Sequence, residues 1–114
     1  MITIQKYYKK DLNIWDDFVK KSINGTIFQT QKFIDYHIIR SFKNASLMIK
    51  YKNDIVAVLP GATIEDNNKK IFYSHPGASY GGLVINQKVN FDLLNQIIVK
   101  IDQYCIQNNF NKII

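Results

Sequence analysis

Residues 46–61 read Ser-Leu-Met-Ile-Lys-Tyr-Lys-Asn-Asp-Ile-Val-Ala-Val-Leu-Pro-Gly, and this run specifies a β-hairpin at the middle of the chain. Leu47, Ile49 and Tyr51 alternate with Met48, Lys50 and Lys52, the period-2 pattern of a strand. Asn53-Asp54 supplies residues tolerant of positive φ, as a tight turn requires. Ile55 to Leu59 returns with no polar side chain on either face, so this strand belongs inside a sheet rather than at its edge. Pro60-Gly61 should disturb its far end, because proline cannot donate to a ladder.

Working outward, residues 62–65 continue extended, Asp66-Asn67-Asn68-Lys69 turns, and Lys70 to Ser74 comes back. Leu83-Val84-Ile85 is a further short strand. Asn90 is placed to cap a long helix whose inner stripe reads Phe91, Leu94, Ile98, Ile101 and Cys105, widened by Ile97 and Tyr104. Asn108-Asn109 stops it, and Phe110 to Ile114 reads as a strand just begun. Upstream, Ile2, Ile4 and Tyr7 open a strand. Asp11 is a plausible cap for a helix carrying Leu12, Trp15, Phe18, Val19 and Ser22 on one face, ended by Asn24-Gly25. Thr26 to Gln29 is a brief extended piece. Thr30 is placed to cap a second helix with Phe33, Ile34, His37 and Ile38 inward. Hairpins between helical segments predict an α+β domain: a mixed, mostly antiparallel sheet with helices packed on it.

Composition supports one core. The chain has 114 residues, 46% of them apolar, including seven Phe and seven Tyr. That is the usual size of one domain and enough apolar mass to fill it. No apolar run approaches the ~20 residues that span a bilayer, so stable membrane insertion is not expected. No secretory leader is visible, and a cytoplasmic location is expected. Cys105 is the single cysteine, which excludes an internal disulfide and a cysteine-based metal site. Net charge is +6, but Arg40 is the only arginine among fifteen basic residues. Arginine is the residue of bidentate phosphate and base recognition. The paired lysines Lys9-Lys10, Lys20-Lys21 and Lys69-Lys70 read as solvated surface, and Asp16-Asp17 likewise.

Catalytic signatures are sparse. His37 and His75 stand apart, without the spacing of a metal pair, and no metal site is expected. The nucleophile elbow, the P-loop and the dinucleotide fingerprint are all missing from the sequence. One stretch stands out: His75-Pro76-Gly77-Ala78-Ser79-Tyr80-Gly81-Gly82. Its glycines let the backbone turn tightly and approach a ligand, and His75 and Tyr80 add donors. The same glycines are equally readable as a turn with conformational needs alone.

Taken in order, Trp15-Asp16-Asp17-Phe18-Val19, Asn24-Gly25-Thr26-Ile27-Phe28-Gln29-Thr30, Phe33-Ile34-Asp35-Tyr36-His37, the hairpin above and Ser74 to Leu83 resemble a known family. The string is similar to the N-terminal portion of bacterial GNAT-like acyltransferases of the FemAB type, over nearly the whole chain. The resemblance implies a GNAT-like fold within a two-domain protein of cell-envelope biogenesis. It implies N-acyl transfer to an amino sugar or envelope precursor, from acyl-CoA or aminoacyl-tRNA. It also places Phe28, Tyr80, Gly81 and Gly82 at the substrate cleft, and His75, from the loop reading, joins them as an expected substrate-binding residue. The family's pyrophosphate loop, Arg/Gln-x-x-Gly-x-Gly/Ala, has no counterpart in this sequence. The expectation is therefore a single N-terminal domain over 1–114, cut from a longer chain and inactive alone. No cofactor is expected on it, and acyl-CoA belongs to the full-length protein. Its expected partners are the C-terminal domain and the small-molecule substrate, with homodimerisation through the face left exposed. The alternative is a non-catalytic module holding an anionic ligand, a sugar nucleotide or nucleic acid.

Overall fold

The computed structural model describes residues 2–22, 25, 30–32, 43–73 and 82–113. In chain order these form β1 (Ile2–Lys6), a 3-10 turn (Lys9–Asp11), α1 (Leu12–Lys21), β2 (Lys43–Asn44), β3 (Leu47–Tyr51) and β4 (Asp54–Leu59). There follow β5 (Ala62–Asp66), β6 (Lys69–Tyr73), β7 (Val84–Ile85), α2 (Phe91–Gln107) and β8 (Lys112–Ile113).

The strands make two four-stranded sheets, ordered β1-β3-β4-β7 and β2-β5-β6-β8. All pairings are antiparallel except β6 with β8, which is parallel. A parallel pair needs a crossover, and α2 is that crossover. The sheets are two halves of one bent surface. Pro60-Gly61 breaks the run from Asp54 to Asp66, and Ala45-Ser46 breaks the neighbouring run beside it. The two breaks are tied together. Ala45 N donates to Gly61 O at 2.9 Å, and the buried Ser46 hydroxyl accepts from Gly61 N at 3.1 Å.

The hairpin turn falls one residue earlier than the composition suggests. Lys52 and Asn53 have φ of 52° and 70°, while Asp54 already pairs with Tyr51. Two consecutive left-handed residues give the twist that a two-residue hairpin needs, and this outweighs the reluctance of lysine to adopt positive φ. Asn67 and Asn68 make the equivalent turn between β5 and β6, with φ of 50° and 66°.

β4 is interior, as its apolar faces predict. It also carries an irregularity, since Ile49 pairs with Ala57 but Lys50 pairs with Ile55. Val56 is thus an extra residue, and a bulge of this kind lets neighbours share a face. Val56 and Ala57 accordingly both join the core beneath α2, with Leu47, Ile49, Phe72, Ile97, Ile101 and Cys105. The opposite face holds a second cluster under α1: Tyr7, Trp15, Val19, Met48, Val58 and Val84. Trp15 is fully buried and meets Tyr7 edge-on at 5.3 Å.

Two expectations about helices change. Asp11 ends the 3-10 turn rather than capping α1 with its side chain; its Oδ2 accepts from Tyr8 N at 3.1 Å. The buried stripe of α2 is Ile97, Ile101 and Cys105, with Leu93 and Tyr104 beside it. Phe91 and Ile98 instead face outward. The helix is apolar around most of its circumference, so spacing alone could not choose which arc meets the sheet. Asn90 does cap it, its Oδ1 accepting from Leu93 N at 2.8 Å. Asn109, with φ of 66°, ends it, and Lys70 fastens the exit. The Lys70 ammonium donates to Asn108 O at 2.8 Å and lies 4.4 Å over the Phe110 ring. One of the paired lysines is therefore a structural anchor, not loose surface charge.

Candidate functional site

Phe28, His75, Tyr80 and Gly81 lie outside the described residues, as do His37 and the other residues after Lys32 that the sequence assigns to a second helix. Gly82 is described. Its φ of 105° is one that L side chains avoid, and a Cβ there would meet nothing within 4 Å. Conformation, rather than close approach by a neighbour, therefore selects glycine at this position.

Gly82 leads into β7, and the turn after β7 builds one wall of a groove. Asn86 latches this turn onto the bulge of β4. Its N–H donates to Val56 O at 3.0 Å, and its amide nitrogen donates to Ile55 O at 3.2 Å. Its Oδ1 accepts from Lys88 N at 3.0 Å, closing the turn. The bond to Val56 O carries the antiparallel pairing of β4 with β7 one residue past Ile85, and the amide bond to Ile55 O adds a side-chain tie to the same strand. Across from the turn, α1 contributes Ile14, Asp17, Phe18 and Lys21. The groove between them holds about 500 Å³.

Ile14, Phe18 and Ile55 give the groove an apolar floor, while Asp17, Lys21, Asn86, Gln87 and Lys88 form its rim. Lys21 pairs with Asp17 at 3.0 Å, and Lys88 with Asp54 at 3.8 Å. All four side chains are more than half exposed. Exposed pairs of this kind contribute ~0–1 kcal/mol, so a ligand can displace either partner at little cost. The arrangement suits a small polar ring with apolar faces, an ammonium for the carboxylates and an anionic group for the lysines.

The far edge of α1 has a different task. Asp16 accepts from Gln31 N at 2.6 Å and from Lys32 N at 3.2 Å. Its carboxylate thus caps the helical turn begun at Gln31, fifteen residues away. The sequence reading as plain surface charge is corrected for Asp16 and holds for Asp17. No local motif announces a cap supplied from another helix. Gln31 itself is buried, its Oε1 accepting from Asn44 Nδ2 at 2.8 Å. Asn44 Oδ1 in turn accepts from Ser46 N at 2.9 Å. Asp16 therefore begins a polar chain that ends at the bend held by Ser46 and Gly61.

The N-terminus of α2 is where a phosphate cradle would lie on this fold. Residues 86–90 read Asn-Gln-Lys-Val-Asn, without a glycine. The Asn90 side chain takes Leu93 N, Asn90 O takes Leu94 N at 2.9 Å, and Asp92 adds a carboxylate to the first turn. A capped, acid-bearing N-terminus has little left to offer an anion. These residues do not fit the pyrophosphate of an acyl-CoA. Cys105 is no better as a nucleophile: burial, helped by the nearby Asp102 carboxylate, pushes its thiol up to about 11. Among the described residues no cluster of three metal-binding side chains occurs, and no helix is long and apolar enough to cross a membrane.

No protein-family profile and no curated protein matches the chain. Solved structures do. An aminoglycoside acetyltransferase from an uncultured soil metagenomic sample superposes with a TM-score of 0.64 at 9% identity, over 100% of this chain and 78% of its own. A possible acetyltransferase from Clostridium difficile 630 gives 0.59 at 10% identity, over 99% and 77%. Glucosamine-6-phosphate N-acetyltransferase from Arabidopsis thaliana gives 0.52 at 16% identity, over 100% and 80%. Identities this low speak to architecture alone, and the architecture is the mixed α+β fold of the GNAT-type acetyltransferases.

Proposed function

We propose that this chain is the acceptor-side, N-terminal part of an N-acyltransferase of the FemAB type, acting on an amino sugar or cell-envelope precursor. The observation that carries the reading is the fold, shared over essentially the whole chain with acetyltransferases. The groove between α1 and the turn after β7 supports an amino-sugar acceptor. Phe18 and Ile55 can meet the C–H faces of a sugar ring, and Asp17 can hold its ammonium. The acyl donor is acyl-CoA or an aminoacyl-tRNA. The capped N-terminus of α2 does not suit the donor's phosphates, so they are held by a second domain, and this chain alone transfers no acyl group.

The test is a titration of the isotopically labelled chain with glucosamine, with an aminoglycoside and with acetyl-CoA, followed by amide NMR. Saturable shifts at Ile14, Phe18, Ile55 and Lys88 are expected with the amines, weakened by Asp17→Asn. Acetyl-CoA should give none. Silence of the groove towards every amine defeats the acceptor reading, and acetyl transfer by this chain alone defeats the claim of inactivity. The anionic-ligand module is the weaker reading. Both lysines on the groove's rim already face a carboxylate, so the rim carries no net positive charge from them. Binding of RNA or DNA that falls steeply with salt would reverse that ranking.

A further inference from the structure

The outer arc of α2 carries an apolar pattern that its own sheet does not use. Phe91 is 68% exposed, Ile98 46%, Val99 53% and Ile106 73%. At about 100° per residue these four fall within an arc of roughly 100°, with Asn95 and Asp102 near its centre. All six side chains are exposed.

The order of these residues is symmetric about the peptide bond between Ile98 and Val99. Phe91 stands as far before Ile98 as Ile106 stands after Val99. Asn95 stands as far before Ile98 as Asp102 stands after Val99. We propose that this face is a twofold interface at which α2 packs antiparallel against α2 of a second copy of this chain. A twofold axis through the midpoint sets Phe91 against Ile106 of the second copy, and Ile98 against Val99. It sets the Asn95 amide, a donor, against the Asp102 carboxylate, an acceptor. Self-complementarity of this kind is what an isologous contact demands. A face meant for an unrelated partner has no need of it. Nor does a face kept wet, where apolar residues occur singly.

The two polar residues argue hardest for a second copy. A carboxylate in the middle of an apolar arc is costly in most docked complexes unless it finds a donor. Here the symmetry supplies one on each side, twice per dimer. The contact is modest in extent. A helix of this length covers ~25 Å, and one helix pair buries less than the ~800 Å² per partner of a standard interface. A contact of this size is expected to be weak, with a dissociation constant on the order of 10–100 µM.

Sedimentation velocity on the 114-residue chain, from ~5 µM to ~1 mM, tests this. Wild type should pass from monomer to dimer across that range. Asn95→Asp sets two carboxylates against one another at both ends of the axis and should raise the dissociation constant ~10-fold or more. The double variant N95D/D102N exchanges donor and acceptor, and should return it to within ~3-fold of wild type. Val99→Lys should leave a monomer throughout. All three sites, Asn95, Val99 and Asp102, are exposed, and circular dichroism with thermal melts confirms that each variant folds. A wild type that stays monomeric at ~1 mM overturns the proposal. A dimer indifferent to Val99→Lys, or a double variant as weak as the single, overturns it equally.

Discussion

Gly61 occupies the bend where both runs of strand break, and replacing it with alanine should strain the molecule at that point. Its φ lies outside the left-handed region, so the constraint is space rather than conformation. An added Cβ would meet Cζ of Phe72, with Cε1 at 2.6 Å and Cε2 at 3.2 Å. Carbon atoms settle at ~3.5–4.0 Å, so ring and backbone must separate by roughly 1 Å. The ring cannot yield easily: Phe72 is fully buried and held edge-on by Phe110 at 5.5 Å. The backbone is held by Ala45 N at 2.9 Å and by the Ser46 hydroxyl, which bonds both its N–H and its carbonyl. Overpacking of this kind costs ~1–3 kcal/mol, and weakening the Ser46 bonds adds ~1 kcal/mol. The smaller backbone entropy of unfolded alanine offsets ~0.4–1 kcal/mol. The net loss is ~1–3.5 kcal/mol, a sizeable part of the ~5–15 kcal/mol typical of a domain. Urea unfolding followed by the fluorescence of the buried Trp15 reads it as a midpoint lowered by about 1 M or more. Phe72→Leu should relieve the clash, so Gly61→Ala should cost at least ~1 kcal/mol less in that background. A midpoint within experimental error of wild type, or strict additivity in the double variant, refutes the account of the bend.

Asp16→Ala removes the acceptor of Gln31 N and Lys32 N; a loss of ~1.5–3 kcal/mol and a Tm lower by roughly 6–12 °C are expected. Asp17→Ala, which breaks only an exposed pair, should change Tm by no more than ~2 °C, and equal effects at both sites would contradict the capping role. Cys105 should react slowly with a disulfide reagent at about pH 8 in the native state and promptly once unfolded. Its folded thiol titrates near 11 against an ordinary 9.0, so the native state keeps a proton that the unfolded chain releases. Stability is whole below about pH 9 and falls as pH climbs toward 11; Tyr104, also raised by burial, acts in the same direction. The urea midpoint measured at about pH 8 and pH 10.5 checks this, and Cys105→Ala should flatten part of the slope.

The fold was legible where one signal dominated. The alternation at Leu47, Ile49 and Tyr51, the apolar run from Ile55, and the Pro60-Gly61 break all correspond to observed features because strand periodicity and proline chemistry act locally. Asn90 and Asn109 bound α2 as expected, for the same reason. The misreadings arose where two local options were nearly equal. Lys52-Asn53 and Asn53-Asp54 can each turn a hairpin, and the register of Asp54 with Tyr51 decides between them. The buried arc of α2 depends on which side meets the β4 bulge, and an extra residue in a ladder has no signature in a sequence that is apolar throughout.

The groove was far less legible, and the reason is the same distance in sequence that makes it a groove. Ile14 and Phe18 read as helix, Ile55 as strand and Asn86 as turn; only folding brings α1 over the turn that follows β7. The decisive group is Asn86, whose three bonds to Ile55, Val56 and Lys88 hold that wall in place. An asparagine after a strand is read as turn-forming, and here it is. Its second role, tying that turn to Ile55 and Val56 of β4, becomes visible only once β4 and β7 are known to pair. Asp16 repeats the lesson: one carboxylate of an adjacent pair caps a distant helical turn, while its neighbour merely meets a lysine. Residue type made both candidates for the surface, and the direction of each side chain from α1 separated anchor from rim.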